Sequence, residues 1–351
     1  YLVALYDDSD EDLSLSDQQK LDTHASSLQQ HAINILGVWI GMMENLPDAS
    51  EQDGNFVDWA ETSVFGGQEV DYGLVRHLLD PMQQYQRDFI ASAHGVAYTS
   101  ATLFGDLGQE SKDWPEIRLG LRHANQHSPK NFHRIPSPFL YSELTRILIL
   151  NDVDINSPLE IATAMTRIIK ASHGGVMGLF TSIARLRAVY GKINEKLLEE
   201  PYTLFAQHVD SMNLSALIDM FREEENSCIL GTDAIRDGTD IPGFSLRTVT
   251  YDRTPWPRAN FLHKARKNAF GGSAYDDALV RKSLAQAFGR LVRKPDDRGI
   301  LVMLDRRMPS RMLGAFPKDV AITRTNLDNA CAIIRTHLGE NGDARQLVQG
   351  A

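Results

Sequence analysis

With 351 residues, 42% of them hydrophobic and 23% charged, the chain has the composition of a globular protein large enough for two or three domains. No apolar run approaches the roughly 18 residues that a membrane helix needs, so no membrane span is expected; Cys228 and Cys331 are too few and too far apart for a zinc or iron–sulfur site and fit a reducing, cytoplasmic setting at least as well as a disulfide. The net charge of −10 is unevenly spread: residues 1–60 hold twelve acidic side chains against one lysine, whereas residues 251–300 hold eleven basic and five acidic ones, compatible with a polyanion track on one face.

The chain opens on Tyr1 without a secretory signal and is expected to be part of a longer polypeptide. Leu21, Ala25, Leu28, Ala32, Ile35, Trp39, Met42 and Leu46 step alternately by four and three, which predicts a long helix stopped by Pro47 and covered by a second helix of the same chain. Ser50 to Gln68 reads as a connecting loop. Val70 to Leu79 and Pro81 to Ile90 are expected as helices, with Asp80 as cap and Pro81 at the first position, so that the first 90 residues are mostly helical.

From His94 the pattern changes to short apolar strands alternating with helices. Gly95 to Tyr98 is expected as a strand running into the hydroxyl cluster Thr99-Ser100-Ala101-Thr102-Leu103. Arg146 to Leu150 is a strand and Pro158 to Ser172 a helix broken at Gly174-Gly175. Val176 to Phe180 is a strand that delivers Thr181 and Ser182 to a helix starting at Ile183. Ser182 reads both as an N-cap and as part of an anion site made by the first N–H groups of that helix. Tyr202 to Ala206, Ser227 to Leu230 and Leu246 to Tyr251 are further strands, with a helix from Leu214 to Arg222.

The loop Gly231 to Gly243 carries glycines at 231, 238 and 243 and aspartates at 233, 237 and 240, suited to close backbone approach and hydrogen-bond acceptance; it lacks the twelfth-position glutamate of a calcium loop. Asp252 to Arg258 is a proline-locked loop in which Trp256 either stacks on a base or packs inward. The helix that follows from Pro257 bears His263, Lys264, Arg266 and Lys267.

Over Leu284 to Arg293, the residues Leu284, Phe288 and Leu291 form an apolar stripe, and Gln286, Arg290 and Arg293 lie on the opposite face. Gly289 within this helix predicts close approach of a ligand, and two guanidinium forks suit a phosphate. A turn at Pro295 to Gly299 then leads to the strand Ile300 to Leu304, closing on Asp305-Arg306-Arg307. A short helix over Arg311 to Phe316 and a last one over Asn326 to Leu338 complete the chain. Buried strands joined by helices predict a parallel α/β sheet covered on both faces, with ligands at the strands' carboxyl ends.

The run Gln286-x-x-Gly289-Arg290-x-x-Arg293, followed by Asp296-x-x-Gly299 and a strand closing on Asp305-x-Arg307, resembles motif VI of superfamily two helicases of the DinG/XPD type. In the same order, Thr99 to Leu103 resembles motif III, the strand ending at Thr181-Ser182 motif IV, and Gly231 to Gly243 motif V, with Asp237 where the family usually has glutamate. The resemblance implies a RecA-like P-loop-NTPase-type sheet, with residues 1–92 as an arch-like helical insertion, 93–108 as the motif III strand of a first motor domain and 109–351 as the second RecA-like domain.

It further implies ATP and Mg²⁺ as cofactors, held mostly by an upstream first motor domain. Arg290 and Arg293 would stabilise the γ-phosphate, Gln286 would place it, and Asp237, Gly238, Asp240 and Gly289 would lie near the nucleotide. Single-stranded DNA would meet Thr99, Ser100, Thr102, Thr181, Ser182, Thr232, Trp256 and Arg258. The whole enzyme would move 5′ to 3′. This chain has neither a Gly-x-x-x-x-Gly-Lys-Ser/Thr loop nor an Asp-Glu-Ala-His box, so alone it is expected to be inactive. The iron–sulfur cluster of some relatives would lie outside it. The alternative is a catalytically inert RecA-like module that binds DNA or protein, against which the paired Arg290 and Arg293 argue.

Overall fold

The computed structural model describes residues 15–45, 54–65, 68–103, 113–124, 129–133, 135–237 and 243–339. Two compact units emerge, one from Tyr1–Pro81 with Ala259–Arg266 and the other from Met82–Arg258 with Lys267–Ala351.

In the first unit the periodic stretch forms the long helix α1 (Leu15–Asn45), as its heptad spacing demands. Its stripe is largely uncovered, with Leu28, Ile35 and Trp39 between 41 and 53% exposed and Met42 buried. The expected loop over 50–68 and the helix over 70–79 are both corrected: β1 (Phe56–Phe65) and β2 (Gln68–Leu78) pair antiparallel, Phe56 opposite Leu78 and Phe65 opposite Gln68. Aromatic and β-branched residues on either side of Gly66-Gly67 favour a hairpin over a helix. Buried Asp58 accepts Arg76 Nε and Nη2 at 2.8 and 2.7 Å, and Trp59 stacks on His77 and Phe261. Arg266 donates to the carbonyls of Leu78 and Leu79 at the hairpin's end.

The second unit begins at Met82, within α2 (Pro81–Tyr85), which runs on as a π turn to Ile90, giving the helix expected over 81–90. Gly95 to Tyr98 is irregular where a strand was expected, because no neighbouring strand pairs with it among the described residues. The short helices α3 (Asp113–Arg118) and α4 (Tyr141–Leu144) follow, and then the strand–helix alternation: β3 (Thr145–Leu150), α5 (Pro158–Ser172), β4 (Val176–Leu179), α6 (Ile183–Leu197), β5 (Thr203–Ala206), α7 (Leu214–Glu223), β6 (Ser227–Gly231), α8 (Asp233–Asp237), β7 (Thr248–Tyr251), α9 (Phe261–Ala269, whose residues 261–266 belong to the first unit), α10 (Ser273–Phe288), β8 (Gly299–Met303), β9 (Ala321–Thr325) and α11 (Leu327–Leu338). The sheet order is β5-β6-β4-β7-β8-β3-β9, and every pair is parallel, the RecA-like arrangement.

Because successive strand side chains face opposite sides, one sequence run feeds two cores. Leu148, Leu150, Val176, Leu230 and Val302 pack under α5, α6 and α11, while Ile147, Ile149, Met177, Ile229 and Leu301 pack under α7 and α10. Each such side chain contributes about 1.5–3 kcal/mol on burial. At Gly178 the packing is close: a Cβ there would stand 2.5 Å from Leu230 Cδ2 and 2.8 Å from Met165 Cε and would displace both side-chain ends.

At the amino edge of the sheet, buried Arg247 gathers three connections. It donates to the carbonyls of Ser172 and His173 after α5, of Glu225 after α7, and of Phe244, whose ring lies 4.4 Å from its Cζ. The chain passes it through Gly175 at φ 62°, where a Cβ would meet Arg247 Nε at 2.8 Å.

His337 on α11 is 7% exposed, with Nε2 3.1 Å from the Leu144 carbonyl oxygen, and burial depresses its pKa to about 4. In the unfolded chain it titrates near 6.5, so between pH 6.5 and 4 the unfolded state binds the extra proton and stability falls with acidification. We expect acid to cost about 2–3 kcal/mol through this group. A His337→Gln variant, followed by thermal melting from pH 7.5 to 4.5, should lose that part of the slope, and an unchanged slope would refute the assignment.

Candidate functional site

The carboxyl ends of four neighbouring strands come out level. Leu179 pairs with Gly231 on one side and Tyr251 on the other, and Tyr251 pairs with Met303. Thr181, Thr232, Asp252, Thr254 and Asp305 therefore emerge along one edge. Ser182 has extended backbone and caps α6, its hydroxyl accepting from Arg185 N at 3.3 Å. The Thr181 N–H donates to Asp252 Oδ1 at 3.0 Å, and Asp252 also takes Arg185 Nε, whose guanidinium reaches the Ile155 carbonyl at 2.8 Å. Burial pushes the Asp252 pKa up in spite of these donors. Thr232 gives both its N–H and its hydroxyl to Gln207 Oε1, at 3.0 and 3.2 Å.

Beyond Thr254, Trp256 is 40% exposed; Arg311 Cζ lies 5.8 Å from its centroid, and Arg258 is exposed. The helix expected from Pro257 starts later, as α9, because Asn260 accepts the His263 N–H at 2.7 Å and caps it there.

On α10 the apolar stripe is as expected, with Leu284, Phe288 and Leu291 at 2% exposure or less. The helix ends at Phe288, however, so Gly289 is its C-cap and not an interior residue. Gly289 N still bonds to Ala285 O, but Arg290 N turns to Ala287 O and Leu291 N to Phe288 O, the tighter bonds of a terminal turn. Gly289 has φ −65°, a backbone any residue adopts, and a Cβ there would stand 3.3 Å from Ala285 O, so this turn does not itself require glycine.

Arg290 is half-buried and donates from Nη2 to the Asp237 carbonyl at 3.1 Å; burial lowers its pKa, the Asp237 charge opposes this and Arg236 adds to it. Arg293 sits in a turn whose N–H, with that of Lys294, bonds to Asp297 Oδ2 at 2.8 Å. Gln286 Oε1 is buried and accepts no hydrogen bond among the described residues. Motif V is a short helix, α8, rather than a loop up to Asp237. The Asp237 carboxylate takes Nε and Nη2 of buried Arg236, and Arg236 lies against Tyr251, whose hydroxyl donates to Ser283 O at 3.2 Å. Gly238 and Asp240 lie outside the described residues.

Thr99, Ser100 and Thr102 face Lys282, Phe288 and Gly289 across a cleft of about 1790 Å³, larger than an ordinary small-molecule pocket. Ser100 Oγ accepts from Thr102 N at 3.2 Å, and Arg118 holds the Thr102 carbonyl at 3.1 Å. Lys282 was not anticipated. Burial lowers its pKa and Arg118 adds to the effect, leaving a cation that gains from an anionic neighbour. It stands one turn before Gln286, so extending the Gln286–Arg290 face backward would have found it.

Residues 165–321 match the helicase C-terminal domain family. The chain is 27% identical over 281 residues to the 3′-5′ exonuclease DinG of Bacillus subtilis (76% of this chain, 29% of that protein). It is 33% identical over 170 residues to the ATP-dependent helicase DinG of Mycobacterium tuberculosis (46% and 25%), and 30% identical over 211 residues to the ATP-dependent DNA helicase YoaA of Escherichia coli (56% and 31%). It thus spans less than a third of the length of these relatives.

Proposed function

We propose that this chain, which carries a DinG/XPD-like superfamily two helicase C-terminal region, is the second motor half of an ATP-dependent helicase that moves 5′ to 3′ on single-stranded DNA. The observation that carries the reading is the juxtaposition of Arg290, half-buried at the end of α10, with α8, which follows the strand tip at Gly231. A guanidinium that has already lost part of its water makes a stronger partner for phosphate oxygens than an exposed one. Bound ATP supplies the phosphoanhydride that is hydrolysed. Its Mg²⁺ and most of its phosphate contacts fall to a first motor domain, since this chain has no P-loop lysine or acidic box.

On the chain's own side, Arg290 and Arg293 present positive charge to the γ-phosphate, and the buried Gln286 oxygen has acceptor capacity to spare for orienting a donor beside it. Lys282 and the motif III hydroxyls line the adjoining cleft. Arg236, locked to Asp237 and resting on Tyr251, joins this machinery to the strand tips where Thr181, Ser182, Trp256 and Arg258 meet DNA. The test is ATP hydrolysis by the full-length protein with and without single-stranded DNA. Stimulation of about tenfold or more is expected; absence of stimulation moves the weight to an inert DNA- or protein-binding module.

A further inference from the structure

The strand tips share a repeated device. Thr232 gives its N–H and hydroxyl to Gln207 Oε1. In the same way Thr254 gives its N–H and hydroxyl to Asp305 Oδ2, at 3.2 and 3.0 Å. Thr181 gives its N–H to Asp252. In each case the acceptor follows the strand next to the threonine's own, β5 beside β6, β8 beside β7, and β7 beside β4. All three acceptors are at most 8% exposed. The Asp305 clamp is the most complete: Oδ1 takes Arg307 N at 3.0 Å and lies 3.4 Å from Arg307 Nε, so that carboxylate is held from both sides.

A hydroxyl has one hydrogen to donate. Those of Thr232 and Thr254 are directed into the protein, so neither can donate to a DNA phosphate without breaking its clamp. Their work is to fix the backbone that follows. After Thr254 the chain runs Pro255-Trp256-Pro257-Arg258; both prolines restrict φ, and Trp256 N bonds back to Thr254 O at 2.8 Å. One anchored threonine thus sets the direction of an exposed indole and an exposed guanidinium together.

We propose that Asp305 is a positioning residue for single-stranded DNA, holding Thr254 so that Trp256 and Arg258 stand as one rigid platform that stacks a base and contacts the adjoining phosphate. This rests on the DNA reading above. Pre-organisation of this kind raises affinity by sparing the loop an ordering cost on binding. By the same geometry, Thr232 is assigned to the scaffold and not to the phosphate contacts.

The test uses the full-length protein and a fluorescein-labelled oligothymidylate, reading anisotropy and the DNA-induced quenching of Trp256 emission, the latter isolated by difference from Trp256→Phe. Asp305→Asn is expected to weaken binding about tenfold and to abolish the Trp256 quenching, while the melting temperature moves little. Thr254→Val, which leaves Asp305 and Arg307 in place, should do the same, and Thr254→Ser should restore both signals. Wild-type affinity and quenching in Asp305→Asn and Thr254→Val would overturn the clamp alone. A wild-type protein whose Trp256 emission ignores DNA would overturn the DNA reading and the clamp with it.

Discussion

Replacing Arg290 with alanine should lower DNA-stimulated ATP hydrolysis about a thousandfold, the scale of an arginine that stabilises a transferring phosphoryl group, while leaving affinity for single-stranded DNA within about twofold, since its surroundings make no DNA contact in the proposed scheme. The side chain reaches Asp237 O by one Nη2 bond, and the guanidinium is already stripped of part of its hydration. Arg290→Lys is the sharper probe. It keeps the charge but has no planar fork, so most of the loss should remain. Unchanged DNA-dependent hydrolysis in Arg290→Ala would remove Arg290 from the phosphate site.

The largest effect on stability is expected at Arg247. Truncation to alanine strips donors from the carbonyls of buried Ser172, half-buried His173 and Phe244, and exposed Glu225, all in the turns that Arg247 ties together. A buried acceptor without its donor costs about 1–3 kcal/mol, and partial rescue by water brings the sum to about 4 kcal/mol. For a domain of this size that is a drop of roughly 8–15 °C in melting temperature. Arg247→Met keeps the apolar stem and should still lose most of it; a shift below about 2 °C would show that the hydrogen bonds do not hold the amino edge.

The strands β3, β4, β6 and β8 were legible because residues buried on both faces leave continuous apolar runs, and α5 and α6 because Ser157 and Ser182 announce their caps. The edge strand β9 was not. It pairs on one side only, and Thr323 and Arg324 face solvent, so it carries no apolar signature. The hairpin β1–β2 is hidden because Val70, Leu74, Val75, Leu78 and Leu79 also fit a helical spacing, and only Gly66-Gly67 marks the turn. At the site, Gln286, Arg290 and Arg293 could be found from spacing within one segment. The clamps could not, because Asp305 and Thr254 are 51 positions apart and only the order of the strands makes them neighbours.

That strand order also bears on how the protein is made. β3 lies between β8 and β9, pairing Thr145 with Gly299 and Leu150 with Thr325. During synthesis at about 5–20 residues per second, β3 must wait on the order of ten seconds or more for partners encoded some 150 residues later. Ile147, Leu148, Ile149 and Leu150, fully buried in the folded sheet, lack their strand partners until then. The nascent chain is therefore a natural client for a chaperone that shields apolar strands, and a ribosome stalled before Thr325 releases a product whose sheet lacks an edge.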